Sequence, residues 1–310
     1  MFNRVHAWFL GCVALSTLLT AAEKPYAAPR TPDGQPDLQG VWNNATMTPL
    51  ERPASLAGKE FFTEQEARQY EAATWAQINS ERRDGGADAD IARSYNEFWR
   101  DRPNKIIGSR TSLIYDPKDG KIPALTPGAA ARIARAQREN AAHALDGPEG
   151  QNLWVRCITR GVPMVPGPYN NDFQILQSRN HVVIFNEMIH EARVVPLDGS
   201  PHPPSNIRFW TGDPRGHWEG ETLVVDSTNF SEKSNFRGAG ENLHLIERFT
   251  RVAPDRIRYT FTVDDPTTFT RPWSAELPMM RLSTPIIEYA CNEGNYAMSG
   301  ILAGARAQGK

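Results

Sequence analysis

From residue 173 onward the chain alternates apolar and polar positions in short runs rich in Val, Ile, Thr, Phe and Tyr, at 173–177, 181–187, 192–197, 207–210, 222–228, 243–252, 257–263, 273–277 and 286–291. A two-residue period puts successive side chains on opposite faces, so each run reads as a strand with one face buried. The runs are separated by turn signals such as Asp198-Gly199, Trp218-Glu219-Gly220 and Ala253-Pro254-Asp255. Such links are too short for crossover helices, which makes the strands antiparallel and sets neighbours in sequence side by side. A flat meander of this size would leave long open edges; closure into an up-and-down barrel, or strong curvature, removes them. The expected fold is mainly β with α: a C-terminal antiparallel barrel or curved sheet, with a helical and irregular N-terminal part packed on it.

The N-terminal half has a different pattern. Residues 25–59 are rich in Pro, Gly and Asn and show no lasting period, which reads as an extended arm with one apolar anchor at 38–42. Thr63-Glu64-Gln65-Glu66 fits a capping box and starts a helix that runs toward Ile78. Ile91, Tyr95 and Phe98 share one face of a second helix at 90–99, and Thr126-Pro127 opens a third through Ala142. A short strand is expected at 112–115. The chain divides into a leader at 1–22, an arm at 23–60, a helical part at 61–150 and the barrel at 151–310.

The leader is a secretory signal by its pattern: Arg4 and His6 precede an apolar stretch at 8–19 that ends in Thr20-Ala21-Ala22, with cleavage expected after Ala22. The expected location is the periplasm or the outside of a bacterial cell, without stable membrane insertion after cleavage. Cleavage removes Cys12 and leaves Cys157 and Cys291, an even number in an oxidising compartment. A disulfide between them is the natural reading, closing a loop of about 134 residues and contributing on the order of 4–5 kcal/mol by loop entropy. Two buried thiols or one reactive thiol are the competing readings. Composition narrows the partners. A formal net charge of −2, with 34 basic and 36 acidic residues, offers no excess of cations for a phosphate backbone, so no nucleic acid is expected.

Three stretches, Pro36-Asp37-Leu38-Gln39-Gly40-Val41-Trp42, Arg110-Thr111-Ser112-Leu113-Ile114 with Asp116-Pro117-Lys118-Asp119-Gly120, and Trp218-Glu219-Gly220-Glu221-Thr222-Leu223-Val224-Val225, resemble landmarks of a large family of exported bacterial proteins without an assigned activity. The resemblance spans most of the mature chain and implies export and a shared fold. It carries no catalytic residue with it. By strand layout alone the β-rich half also resembles the lipocalin-like barrels, and likeness of fold does not establish function.

Chemistry is sought where ionisable residues interrupt apolar strand sequence, because buried charge is costly unless paired or used. Phe185-Asn186-Glu187-Met188-Ile189-His190-Glu191-Ala192-Arg193 is one such place. In a regular strand Glu187, Glu191 and Arg193 share a face and His190 takes the other, while a bulge near His190 would reunite them. His244, Glu247 and Asp264 form a second polar set. No Gly-x-Ser-x-Gly elbow, phosphate loop or dinucleotide fingerprint occurs, so no cofactor and no resident metal are expected. Two Glu-x-x-His pairs, at Glu187/His190 and Glu241/His244, lie in strand sequence, where this spacing diverges and a di-iron bundle site fails.

The first expectation is therefore an exported enzyme doing cofactor-independent acid–base chemistry, as a lyase, hydratase or isomerase, on a small hydrophobic or aromatic compound. His190 would move the proton, Glu187 would assist and Arg193 would hold an oxyanion, with His244, Asp264 and Glu247 in reserve. Tyr169, Phe185, Trp210, Tyr259 and Trp273 would line the pocket. The alternatives are a periplasmic lipocalin-like carrier of a small hydrophobic ligand, and a mononuclear metal-dependent enzyme using His190 and His244.

Overall fold

The computed structural model describes residues 26–92 and 105–309. The leader, Cys12 and most of the helix expected at 90–99 lie outside the described residues. In chain order the elements are β1 (Gly40–Asn43), α1 (Glu64–Ile78), α2 (Gly86–Ala92), β2 (Ile114–Asp116), α3 (Pro127–His143), β3 (Asp172–Gln177), β4 (His181–Asn186), β5 (Glu191–Pro196), β6 (Asp213–Glu219), β7 (Thr222–Thr228), β8 (His244–Ala253), β9 (Arg256–Asp264), β10 (Trp273–Leu282) and α4 (Tyr296–Ala307).

The strands form one antiparallel sheet in the order β5-β4-β3-β1-β10-β9-β8-β7-β6, with β2 added to β10. This is the nearly closed, barrel-like sheet that the alternation predicts. Its two ends, β5 and β6, come together without a hydrogen-bonded ladder. They approach so closely that a Cβ on Gly216 would lie 2.7 Å from both Val195 Cγ1 and Leu197 Cδ2. Only a glycine at that point lets the barrel edges meet.

Local chemistry explains the well-predicted elements. Thr63 accepts from the Glu66 backbone N–H and Glu66 returns a carboxylate to the Thr63 N–H, so the capping box forms and α1 begins at Glu64. Thr126 caps α3 by accepting from the Ala129 backbone N–H, with Pro127 at the first helical position. The hairpin joining β6 to β7 turns on Gly220, whose φ of 58° suits the first residue of a two-residue loop.

Four departures have physical reasons. The arm supplies β1, inserted between β3 and β10, so it completes the barrel wall as well as docking on it. Asp213–Glu219 is a strand despite its weak alternation, because an edge strand tolerates Pro214 and gains the β5 contact through Gly216. Residues 207–210 are not a strand: Arg208 donates to the Phe230 and Glu241 carbonyls and pins the segment as turns, leaving Ile207, Phe209 and Trp210 part-exposed. Residues 286–291 are irregular, held where the Ile287 N–H donates to Glu187.

Inward positions of the barrel join one apolar core that includes Trp42, Ile175, Ile184, Val195, Leu223, Val225, Leu245, Phe249, Tyr259, Phe261, Trp273 and Leu277. A smaller core of Met47, Phe62 and Ile106 serves the N-terminal part, with Tyr70 of α1 packed on Phe62. Among the described residues no helix is long and apolar enough to cross a membrane.

Candidate functional site

Cys157 and Cys291 form a disulfide across 134 residues of sequence. It ties the segment 149–165, which crosses one end of the barrel, to the chain just before α4. Asn295, the N-cap of α4, reinforces the tie by donating to the Val155 carbonyl. Beyond Cys157 this segment enters the barrel mouth: Val162 and Met164 are buried in the main core, and the Met164 N–H donates to the Tyr259 hydroxyl.

Between this segment, α3 and residues 230–243 lies an open cleft of about 950 Å³. Val162, Phe230, Phe236, Ala239 and Leu243 give it an apolar floor, and Trp154 and Trp210 stand in its walls. Phe236 in turn stacks on Trp273 at 5.9 Å, so the floor rests directly on the barrel core. The charged lining residues are Glu149, Arg156, Arg160, Glu232 and Lys233.

Arg160 is half-buried, and its guanidinium lies 5.0 Å from the centre of the Trp154 ring. Burial pushes its pKa down, and none of the ion pairs among the described residues includes it. Behind the wall, Glu191 accepts from the Thr159 hydroxyl at 2.6 Å and from the Arg160 backbone. Burial outweighs these bonds and raises the Glu191 carboxyl above the usual carboxylate range.

Inside the barrel, Arg193 grips Glu247 through both terminal nitrogens and reaches Ser227 at 3.4 Å. The Tyr259 hydroxyl donates to Glu247 Oε1 at 2.8 Å. Burial acts against the Arg193 charge, but the Glu247 carboxylate outweighs it and holds the guanidinium above its ordinary range; burial, with Glu247 adding to it, pushes the Tyr259 phenol well up. This network closes on itself. Arg193 and Glu247 have each other as charge partners, and the Arg193 Nε is left without an acceptor, as are the buried Nε atoms of Arg110 and Arg251 and the indole nitrogens of Trp218 and Trp273.

A third set lies on the outer face of β6, β7 and β8. His244 Nε2 is 3.0 Å from both Asp226 oxygens, His202 Nε2 is 3.4 Å from Asp226, and His202 Nδ1 is 2.7 Å from Asp213, which Arg215 also grips. Hydrogen bonding to Asp226 raises the His244 pKa, and the same bond lowers that of Asp226.

The residues singled out in the sequence thus fall in several places. Arg193 and Glu247 meet inside the barrel. His244 and Asp264 are register partners on the outer face. Glu187 is buried on the turn before β5, against the Ile287 backbone. His190 ends that turn, exposed, with positive φ at both Ile189 and His190. The turn breaks the strand between Glu187 and Glu191, and no contact gathers His190 with Arg193. Of the aromatics, Trp210 lines the cleft, Tyr169 sits beside Trp154 at 6.3 Å, Tyr259 and Trp273 are core, and Phe185 is half-buried on the outward side of β4.

Among the described residues, no group of three or more His, Cys, Asp or Glu side chains is placed to hold a metal ion. The sequence reading missed Trp154, Arg160 and Phe236, because 149–162 has no period and only long-range packing makes it a wall. Asp226 carried a readable signal, a lone carboxylate among the outward positions of an apolar strand. No family model matches the chain, and no curated protein matches it.

Proposed function

We propose that the protein binds a small, flat, largely apolar compound in the cleft at the barrel mouth, as a carrier or receptor exported from a bacterial cell. The observation that carries the reading is the cleft itself: about 950 Å³, apolar below and walled by two tryptophans. That size suits small-molecule sites, which run to roughly 300–1,000 Å³, and the apolar floor offers a seat for a ring beneath polar and charged walls. The barrel interior offers less, since its apolar inward side chains belong to one packed core and its buried arginines are partnered within the fold, Arg193 by Glu247 and Arg251 by Asp37 and the Trp42 ring. Export accords with the disulfide and rests on the leader pattern and the family resemblance.

Titration with the neutral probe 2-naphthol tests the reading. Binding is expected to quench tryptophan emission and raise Tm, and Trp154→Ala to weaken it about tenfold, the usual scale for losing one aromatic wall. Silence across a panel of flat aromatic compounds would refute it.

One observation favours a second reading, acid–base catalysis at the same cleft. Glu191, behind the wall, accepts from the hydroxyl of Thr159, which lines the cleft, and burial raises its carboxyl above the usual carboxylate range, the direction that suits a general acid. In that case Glu191→Gln leaves ligand binding intact and stops its conversion, read by mass spectrometry of the recovered compound. Unchanged conversion would remove Glu191 from the reaction.

A further inference from the structure

We infer that Arg160 is the anion-recognition point of the mouth cleft and that the compound held there is a small aromatic carboxylate. The inference rests on the binding reading above and names the ligand class for it.

Other arginines withdrawn from water in this protein are satisfied by polar groups of the fold: Arg52 by the Thr111 hydroxyl and the Lys118 carbonyl, Arg193 by Glu247, Arg215 by Asp213 and Arg208 by Glu241. Arg160 has an aromatic ring in that place. A guanidinium laid over an indole is held by its face, and its N–H groups lie at its edge. Half-burial has already removed part of its water, so an arriving anion does not meet the full cost of desolvating the cation.

Three further features fit an anion with an aromatic body. First, the lining carries three cations, Arg156, Arg160 and Lys233, against two carboxylates, Glu149 and Glu232, a surplus of one positive charge. Second, Arg160 is fixed from behind. Its backbone N–H donates to Glu191, and its two terminal nitrogens lie where a Cβ on Gly167 would come within 2.1 and 2.5 Å, so only a glycine there admits the guanidinium. Asn171 locks Gly167 in turn, accepting from its N–H at 2.6 Å and donating to its carbonyl at 3.1 Å. Third, a guanidinium edge that carries two parallel N–H groups matches the two oxygens of a single carboxylate, and the tryptophans in the same lining, Trp154 and Trp210, suit a flat ring.

The test uses the full mature chain and three probes: 2-naphthoate, its neutral amide 2-naphthamide, and inorganic phosphate, each followed by calorimetry and tryptophan emission. Naphthoate is expected to bind at least about tenfold more tightly than the amide, the scale of one charged hydrogen-bond pair. Arg160→Gln should erase that preference by weakening naphthoate while leaving the amide within about twofold, and Arg160→Lys should restore part of it. Gly167→Ala keeps the charge but pushes the guanidinium aside, and should also reduce the preference. Circular dichroism of each variant confirms the fold.

Equal affinity for naphthoate and amide in the wild type would overturn the role of Arg160 and leave the cleft reading standing. Binding of neither would refute both. Phosphate competing as well as naphthoate would overturn the aromatic carboxylate as the ligand class.

Discussion

Arg193 and Arg160 are both drawn away from water, and the two regions that hold them treat the charge in opposite ways. In the barrel, Arg193 meets Glu247 bidentately, with Tyr259 and Ser227 completing the set. At the mouth, Arg160 meets a tryptophan face and no carboxylate. A charge neutralised within the fold specifies packing, whereas a charge left over in a cleft stands ready for something from outside. Burial of the charge is common to both places, and only the partner tells them apart.

The contrast can be broken or sharpened by mutation. The largest effect is expected from Cys157→Ser with Cys291→Ser, which frees the wall carrying Trp154 and Arg160. Opening a loop of 134 residues should cost on the order of 4–5 kcal/mol in chemical denaturation. A loss under about 1 kcal/mol would mean that the wall is held by its other contacts. Glu247→Ala should come next. It strands Arg193 in the core and should cost about 3–5 kcal/mol, while the double change Arg193→Met with Glu247→Leu should recover most of that loss. If the double variant is as unstable as the single one, the pair does more than neutralise itself.

The outer His244–Asp226 pair should matter less and depend on pH. His244 has a raised pKa in the fold, so its contribution is full below the ordinary value of 6.5 and is lost as pH rises through the folded value. Asp226 is lowered, so its contribution is present above 3.8 and lost as pH falls through the folded value. The pair therefore stabilises most between these limits. Both groups are more than a third exposed, which keeps the effect below about 1 kcal/mol. His244→Gln should lower Tm at pH 5.5 and lower it less at pH 9, since the contribution fades as pH rises through the folded value; an equal loss at both would show that the charge is immaterial. Smallest of all should be the stability change in Arg160→Gln. The stacking it gives up, worth about 0.5–1 kcal/mol, is offset by relief of a half-buried charge. A loss comparable to Glu247→Ala would make Arg160 structural and end the contrast.

Much of the barrel was legible because its strands obey one local rule. On β8 the alternation separates Leu245, Glu247 and Phe249 from His244, Ile246 and Arg248 without help, while either set could face inward until the fold buries the first. Thr63 with Glu66 and Thr126 with Pro127 were legible for the same reason, since a cap is made within a few residues. β6 was not, because its place depends on Gly216 meeting Val195 and Leu197 across the seam. The cleft was hidden more deeply still. Arg160 gains its meaning from Trp154, Gly167 and Glu191, which a disulfide and a strand edge bring together, and none of these carries a periodic signal. Glu247 was visible as a charged residue in a strand, but whether it faced a ligand or Arg193 depended on the curvature of the whole sheet.

The central claim is that ligands enter the cleft at the mouth and leave the barrel interior undisturbed. Its most direct test follows the assigned indole N–H resonances during a titration with 2-naphthoate. The account predicts saturable shifts at Trp154 and Trp210, with Trp42 and Trp273 unmoved beneath the floor. Shifts at Trp42 and Trp273 without any at Trp154 and Trp210 would place the compound inside the barrel and contradict it.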